Sequence, residues 1–230
     1  MTKSPDFSGV SVCVFDAYGT LFDLGSFVER FRGQLGDHAE TLVGLWRRKQ
    51  LEYSWLRSLM GRHTDFWHVT GESLDFALAT LGVDNPSLRA RLMEAWLMPR
   101  AFPEADAVLE RLQAGGQRVA ILSNGSPSML VAGLNTTGLS DRVDCVLSVE
   151  KVGVFKPHPS TYKLVVDQFE VDPKQVCFVS SNGWDVAGAA AFGFRVAWVN
   201  RAGAGREHLP AGPDAVLADL GGLPALLGVG

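Results

Sequence analysis

The sequence predicts an α/β fold: a doubly wound, Rossmann-like parallel sheet that carries an inserted all-helical cap domain. Five short apolar runs recur along the chain, at residues 10–16, 118–124, 144–149, 175–181 and 195–200. They are nearly continuous in Val, Ile, Leu, Cys and Phe, which is typical of strands covered on both faces. Helix-like segments separate most of these runs, whereas residues 22–100 contain no convincing strand.

The helical segments between the predicted strands begin and end at suitable residues. They cover residues 104–115, 127–135, 159–169 and 184–192. Pro103 and Pro159 stand where first helical turns are expected, and Gly115-Gly116 and Gly193 stand where helices are expected to end. Strands and helices that alternate in this way imply parallel strands joined by right-handed crossovers.

Residues 22–100 interrupt this alternation directly after the first strand. Their pattern predicts four helices, at residues 25–35, 39–60, 65–82 and 86–98. The expected division is therefore a core domain of residues 1–21 and 101–230 and a cap domain of residues 22–100. Ligands of open α/β sheets bind beyond the carboxyl ends of the strands, so a cap inserted there is placed to cover the binding site.

Composition excludes several classes of function. The chain has 230 residues, of which 47% are hydrophobic and 20% charged, with a formal net charge of -4. A globular protein with a sizeable core is expected, with neither nucleic acid nor a membrane as partner. No spanning segment or signal peptide is predicted. Cys13, Cys145 and Cys177 are interpreted as buried reduced thiols of a cytoplasmic protein.

The sequence offers no pattern for a metal or a nucleotide cofactor, and we expect neither. His63 and His68 are five residues apart, which does not suit ligands on one helical face. Zinc-binding spacings, glycine-rich phosphate loops and the GxSxG elbow of serine hydrolases are missing. His158 is interpreted as a loop histidine rather than as a lining of the site entrance.

Polar side chains follow the predicted strands at their carboxyl ends. Each one alone would be ordinary turn or capping chemistry, but capping does not explain the whole set in this order. We expect the set to converge on one crevice, since these ends meet at one sheet edge. An aspartate held there beside a lysine could serve as a nucleophile. The set comprises Asp16, Thr20, Ser123, Asn124, Lys156, Ser180, Asn182 and Asp185.

These motifs resemble those of the haloacid dehalogenase superfamily, and specifically of its L-2-haloacid dehalogenase family. The resemblance rests on DAYGT at 16–20, SNG at 123–125, KP at 156–157 and SSNGWD at 180–185, in that order. It extends to LWRRKQLEYSWLRSLMGR at 45–62, which is similar to the cap signature of that family. The superfamily fold alone would not identify a function, but the cap segment and the core substitutions narrow it.

The resemblance implies hydrolytic dehalogenation of small L-2-haloalkanoates to 2-hydroxy acids, without a metal or other cofactor. Asp16 would attack C2 opposite the halogen, expel halide and form an aspartyl ester that water then hydrolyses, with inversion at C2. A homodimer is also implied. Trp55 and Leu59 are expected either in the core of the cap or at the interface between subunits.

The resemblance also assigns the residues that would bind substrate and halide. Arg47 of the cap and Asn124 would receive the departing halide, and Ser123 would hold the substrate carboxylate. Arg47, Leu51, Ser54 and Ser58 lie on one face of the predicted helix. Apolar walls are expected from Tyr18, Leu51, Phe66 and Trp184.

The remaining roles concern the nucleophile and the water. Thr20 would orient Asp16, and Lys156, supported by Tyr162, would keep Asp16 ionised. Three residues would position or activate the water, and the choice of base among them stays open: Ser180, Asn182 and Asp185. Arg48 stands where an uncharged Gln is expected, so it is either a second cation in the pocket or a solvated side chain.

Two other functions are considered. A Mg²⁺-dependent phosphatase of the same superfamily would need a second aspartate two residues after the nucleophile, to protonate the leaving alkoxide. Tyr18 occupies that position, and Asn182 supplies no acid for a metal in the last motif, so this function is disfavoured. A catalytically silent protein-binding relative is disfavoured because every expected polar position of the crevice is occupied.

Overall fold

Six parallel strands form the main sheet in the computed structural model, which describes residues 6–229. Their spatial order is β5-β4-β1-β6-β7-β8. β1 lies at the centre, pairing Val14 with Ala120 of β4 and with Phe178 of β6. The strands are β1 (Val12–Phe15), β4 (Arg118–Ser123), β5 (Cys145–Ser148), β6 (Val176–Ser180), β7 (Arg195–Val199) and β8 (Ala215–Leu217).

The five predicted strands are confirmed, each within its predicted limits. β1 and β6 are buried at every position, as their unbroken apolar sequences imply. β8 was not predicted, because a three-residue edge strand leaves too short an apolar run to recognise. Its pairing with β7 extends the sheet by one strand beyond the sequence prediction.

Helices cover the sheet at the predicted places. They are α5 (Ala105–Ala114), α6 (Pro127–Thr137), α7 (Pro159–Phe169) and α8 (Gly183–Phe192), followed by a short α9 (Leu223–Leu226). α7 has the predicted limits because His158 caps its first turn and Pro159 starts it. His158 is thus an exposed capping residue, which agrees with its interpretation as a loop histidine.

Between β1 and α5 the chain forms four helices, as predicted for the cap: α1 (Gly25–Leu35), α2 (His38–Met60), α3 (Phe66–Thr80) and α4 (Pro86–Ala95). The prediction of no strand in residues 22–100 is wrong at the edges of that segment. β2 (Phe22–Asp23) pairs antiparallel with β3 (Arg100–Ala101), which brings the two connections of the helical segment side by side.

The division into a core of residues 1–21 and 101–230 and a cap of residues 22–100 stays a prediction. Residues 1–5 and 230 of that core lie outside the described residues. The short ribbon of β2 and β3 lies at both proposed boundaries, so it marks where the chain leaves the sheet and returns to it.

Cysteine burial agrees with the sequence analysis at two positions out of three. Cys13 and Cys177 are buried in the central strands, whereas Cys145 is only half-buried because β5 is an edge strand. Burial raises the pKa of the Cys13 thiol to about 12. All three are free thiols. Within residues 6–229, no helix combines the length and the apolar character needed to span a bilayer.

Candidate active site

Asp16 lies at the carboxyl end of β1, in the centre of the sheet edge. Its carboxylate is almost fully buried, with 6% of the residue exposed. Oδ2 accepts hydrogen bonds from Asn182 Nδ2 at 2.7 Å and Thr20 Oγ1 at 3.2 Å, with Ser180 Oγ at 3.5 Å. Within residues 6–229, Oδ1 accepts only from Lys156 Nζ, at 3.3 Å. Oδ1 is therefore the less engaged oxygen and the one better placed to act as a nucleophile.

The turn after Asp16 is fixed by a residue that the sequence analysis missed. Ser181 donates from Oγ to the Gly19 carbonyl at 2.7 Å, and its backbone N–H donates to Thr20 Oγ1 at 2.9 Å. Gly19 has a φ of +90°, and a Cβ there would lie 3.1 Å from Ser181 Oγ. Glycine therefore suits this position for both conformation and space. Ser181 belongs to the SSNGWD motif, but its role was not predicted, because its hydrogen bonds go to Gly19 and Thr20, which lie far away in the sequence.

Lys156 links two carboxylates beneath the crevice. Its ammonium group, 1% exposed, lies 3.3 Å from Asp16 Oδ1 and 2.8 Å from Asp185 Oδ2. Tyr162 donates to Asp185 Oδ1 at 2.7 Å. The expected support of Lys156 by Tyr162 is thus indirect, through Asp185.

Burial raises the pKa of Asp185 to about 6, and the nearby Asp16 carboxylate raises it as well, while Lys156 and Tyr162 oppose the increase. The carboxylate is therefore mostly ionised at neutral pH. The pKa of Tyr162 lies well above its ordinary value, chiefly because the phenol is buried. Tyr162 is consequently a donor throughout the physiological range and cannot take part as a base.

Ser123 is the last residue of β4, and Asn124 follows it, on the other side of Asp16. Ser123 Oγ accepts from the Gly125 N–H at 3.1 Å, and Asn124 Oδ1 accepts from the Lys156 N–H at 3.0 Å. Both residues are buried. Among the described residues, the Asn124 Nδ2 group makes no hydrogen bond to protein, which leaves it available to an anion.

Arg47 brings the cap's positive charge to this crevice. Burial lowers the pKa of its guanidinium, and the Asp16 and Asp185 carboxylates partly offset that decrease. Nη1 donates to Gln50 Oε1 at 2.6 Å, and Cζ lies 5.9 Å from the centre of the Trp96 ring. Arg48, the next residue, is exposed, so the alternative of a solvated side chain holds for it.

Aromatic residues form a wall between cap and sheet. Tyr18 and Phe66 are buried, and both approach Trp96, with ring centres 4.8 and 6.4 Å away. The Tyr18 hydroxyl donates to the Trp96 carbonyl at 3.0 Å. Trp96, which the sequence analysis did not single out, is the hub of this cluster.

The other two expected wall residues are less enclosed. Leu51 is half-buried on α2, next to the buried Gln50. Trp184 is half-buried, and its ring contacts Trp55 at 5.5 Å rather than the Trp96 cluster. Trp55 thus touches the sheet-side element α8 instead of the interior of the cap. Leu59 is 83% exposed, so its placement in the cap core is wrong, and the interface alternative is left.

Three hydrogen bonds fasten the cap helices to the loops after β5. Glu150 accepts from the Phe66 N–H at 2.9 Å, and its other oxygen lies 2.8 Å from His63 Nε2. The Phe155 N–H donates to Ser58 Oγ at 3.0 Å. These contacts hold the N-terminus of α3, and with it Phe66, against the crevice. None was predicted, since Glu150 and His63 carry no local signal.

The donor set around Asp16 does not fit a magnesium ion. Mg²⁺ needs several free hard oxygens in near-octahedral array. Both oxygens of Asp185 already accept hydrogen bonds from Lys156 and Tyr162, and Asn182 presents an N–H donor to Asp16. Tyr18, two residues after Asp16, is bound to the Trp96 carbonyl, and burial raises its pKa.

Known proteins are similar to this chain in sequence. A family model described as haloacid dehalogenase-like hydrolase matches residues 10–193. The (S)-2-haloacid dehalogenase 1 of Pseudomonas sp. (strain CBS-3) is 44% identical over 219 residues, which cover 95% of this chain and 96% of that protein. The (S)-2-haloacid dehalogenase 4A of Burkholderia cepacia is 47% identical over 197 residues, 85% of each chain.

Solved structures agree. The structure of L-2-haloacid dehalogenase from Xanthobacter autotrophicus with chloropropionic acid covalently bound has a TM-score of 0.88 and 41% identity, covering 95% of this chain and 98% of that chain. With matches over nearly the whole chain and a strand-end cluster that meets the cap at Arg47, the chain belongs to the haloacid dehalogenase superfamily and, within it, to the L-2-haloacid dehalogenase family.

Proposed function

We propose that this chain hydrolyses L-2-haloacids to 2-hydroxy acids with inversion at C2, through an ester on Asp16. The observation that carries the proposal is the asymmetry of the Asp16 carboxylate. Three donors hold Oδ2, while the one hydrogen bond to Oδ1 from the described part of the chain is the 3.3 Å contact with Lys156. A carboxylate fixed through one oxygen presents the other in a defined direction, which favours attack on a bound carbon.

In the first step, Asp16 Oδ1 attacks C2 from the side opposite the halogen. The new C–O bond forms as the carbon–halogen bond breaks, and the halide leaves with the electron pair. Arg47 and the free Nδ2 group of Asn124 receive this charge. A cation and an N–H donor that are already in place stabilise charge as it develops, without reorganising at that moment.

The substrate carboxylate is the second negative group to be placed. Ser123, with N–H groups of the loop after β4, would hold it beside Asn124. Tyr18 and Phe66 would enclose the alkyl group, with Leu51 and Trp184 nearer the rim. Halide needs no proton to leave, so Tyr18 in place of an acid costs this reaction nothing.

In the second step, water attacks the carbonyl carbon of the Asp16 ester. The former Oδ2 becomes the ester carbonyl oxygen, and its donors Asn182 and Thr20 stabilise the charge that develops there. Of the three residues expected to activate the water, Asp185 is the one with a proton-accepting carboxylate, and Ser180 and Asn182 are positioning groups. The bond between Cγ and the former Oδ1 then breaks, and that oxygen leaves as the hydroxyl of the 2-hydroxy acid with the proton that Asp185 took from water. The water oxygen completes the regenerated Asp16 carboxylate.

The test is halide release from the separate enantiomers of 2-chloropropionate with excess EDTA present. We expect release from the L form only, with D-lactate as the product, and no release in Asp16→Asn. Mass spectrometry of a single turnover in ¹⁸O-water should find the label in Asp16 of the recovered protein. No release from either enantiomer, with phosphatase activity on added Mg²⁺, would contradict the proposal and support the phosphatase.

We infer also that the chain is a homodimer, formed through the outer face of α2 and α3. Large apolar side chains are exposed there: Leu59 by 83%, Met60 by 63%, Leu56 by 44% and Phe76 by 39%. Exposed apolar patches of this kind mark interfaces between proteins. Light scattering of the wild type should give twice the mass of one chain, and Leu59→Lys should give the mass of a single chain. Leu209→Lys is the matched control, because Leu209 is also an exposed apolar residue (46%) but lies on a loop away from α2 and α3. A wild-type monomer would contradict this.

A reducing compartment, the cytoplasm, is part of the same proposal. Its support is that Cys13, Cys145 and Cys177 are free thiols, two of them buried in the sheet. Fractionation of cells that express the native chain should place the halide-releasing activity in the cytoplasmic fraction, and recovery in an exported fraction would contradict it.

A further inference from the structure

Gln50 is a fully buried polar residue on α2 that the proposed chemistry does not use. Its side chain is 0% exposed, although α2 has an open outer face where a glutamine would be solvated. Both ends of the amide are engaged: Oε1 accepts from Arg47 Nη1 at 2.6 Å, and Nε2 donates to Thr70 Oγ1 at 2.7 Å. A buried amide with both ends satisfied is held in one orientation.

The anchor on the far side is also fixed. Thr70 donates from Oγ1 to the Phe66 carbonyl at 2.6 Å, so its lone pair is directed to the Gln50 amide. Phe66 is in turn bound to Glu150 through its N–H. One continuous series of hydrogen bonds therefore runs from the loop after β5, through α3, to the guanidinium of Arg47.

Gln50 is the only hydrogen-bond partner of the Arg47 side chain among residues 6–229. The partner is neutral, so the guanidinium is oriented without losing its charge to a local carboxylate. Arg47 is half-buried, and an arginine partly removed from water is usually paired with an acid. The remaining N–H donors of Arg47 stay free for an anion.

We propose that Gln50 is a positioning residue that fixes Arg47 for the departing halide while leaving its positive charge uncompensated. The inference rests on the proposed function, because it takes Arg47 as the halide-receiving group. A glutamate at this position would have the same shape and would still accept from Arg47, but it would form an ion pair with Arg47 and would lose the hydrogen bond that Nε2 donates to Thr70 Oγ1. The structure therefore predicts that the residue at position 50 must be uncharged as well as of the right shape.

The test compares Gln50→Glu, which keeps the shape and adds a carboxylate, with Gln50→Met, which keeps the bulk and removes both hydrogen bonds. Thr70→Val removes the anchor of Nε2 together with the hydrogen bond from Thr70 to the Phe66 carbonyl, and leaves the Arg47–Gln50 hydrogen bond in place. Gln34→Glu, on the exposed face of α1, places the same charge elsewhere on the cap and is the matched control. Each variant is assayed for kcat and KM with L-2-chloropropionate, for inhibition by bromide, and for thermal unfolding.

We expect Gln50→Glu to lower kcat by about 10- to 100-fold and to raise the inhibition constant of bromide by about 10-fold. Gln50→Met should lower kcat by about 3- to 10-fold and change bromide inhibition less, because the charge of Arg47 remains. Thr70→Val should resemble a mild form of Gln50→Met. Gln34→Glu should match the wild type within about 2-fold.

Two results would overturn the inference. One is a folded Gln50→Glu variant with wild-type kcat and bromide inhibition. The other is equal loss in Gln50→Glu and Gln50→Met without a change in bromide inhibition, which would make Gln50 merely structural. If the glutamate variant does not fold, wild-type kcat in Thr70→Val decides against the inference. An inactive wild-type protein would refute the proposed function instead, so the two failures are distinguishable.

Discussion

Replacing Tyr162 by Phe should move the pH dependence of the reaction in a direction that the structure fixes. Tyr162 is the one hydrogen-bond donor to Asp185 Oδ1 among residues 6–229, at 2.7 Å. Its hydroxyl lowers the pKa of Asp185, which burial raises to about 6. Without the hydroxyl, the Asp185 carboxylate loses a hydrogen bond that stabilises its ionised form, so the pKa of Asp185 increases further.

The size of this increase follows from the free energy of that bond. A hydrogen bond to a charged group contributes roughly 1.5–3 kcal/mol, and one pKa unit corresponds to about 1.4 kcal/mol. The pKa of Asp185 should therefore rise by about 1–2 units in Tyr162→Phe. At pH 7 the ionised fraction would fall from about nine tenths to between about one half and one tenth.

Activity should follow the ionised fraction because of where Lys156 lies. Its ammonium is 2.8 Å from Asp185 but 3.3 Å from Asp16. When Asp185 is ionised, Lys156 pairs mainly with Asp185, and Asp16 Oδ1 is free to attack. A protonated Asp185 releases Lys156 to Asp16, which makes that carboxylate a weaker nucleophile. Activity is thus retained above the pKa of Asp185 and lost as the pH falls through it.

The assay is kcat for L-2-chloropropionate between pH 5 and pH 9. We expect an acid limb near pH 6 in the wild type, moved upward by about 1–2 units in Tyr162→Phe, with the rates converging at pH 9. Tyr53→Phe is the control, since the Tyr53 hydroxyl makes no hydrogen bond within the described part of the chain. An unmoved limb in a folded variant, or a loss equal at every pH, would refute the reasoning.

Three further substitutions have expected outcomes. In Gly188→Ala, the added Cβ would overlap with Tyr162 Oη, so thermal unfolding should show that the free energy of unfolding falls by about 1–3 kcal/mol. Gly33→Ala is the control: a Cβ there meets no atom within 4 Å, so the protein should not be destabilised. Glu150→Gln should raise KM about 3- to 10-fold with less effect on kcat, because the cap is held less firmly; an unchanged KM would contradict this. Arg48→Gln should leave the ratio of bromide to chloride turnover within about 2-fold, as expected of an exposed side chain.

The fold could be predicted from the sequence where local signals are strong. The predicted limits of α1 and α7 are those observed, the latter because Pro159 fixes the start of its helix. The five predicted strands were equally clear, since burial on both faces leaves an unbroken apolar run. β8 was not predicted because three residues leave too short an apolar run to recognise. The two-residue ribbon was not predicted because Phe22 and Ala101 pair across the whole helical segment.

The candidate site divides in the same way. Residues at strand ends, such as Asp16 and Ser180, could be placed together because topology alone brings the ends of parallel strands to one edge. Residues that act across the boundary between cap and sheet could not. Glu150 and Trp96 take their positions from how α3 and α4 dock, and the sequence around each has no periodicity or motif that specifies that docking. The choice for Leu59 between the core of the cap and an interface stayed open, because an apolar residue on a helix looks the same in a core and at an exposed face.

The charges of the site explain why the sheet-side motifs alone are insufficient for this chemistry. Asp16 and Asp185 carry two negative charges under the crevice, and Lys156 carries one positive charge between them. The sheet edge therefore has a net charge of about -1 at neutral pH, which repels a haloalkanoate by about 4 kcal/mol for charges 4 Å apart at an effective dielectric constant of 20. Arg47 cancels that charge, and it lies on α2 of the cap. The cation that balances the sheet edge therefore comes from the cap, and a neutral partner such as Gln50 orients Arg47 without adding a further negative charge beside an anionic substrate.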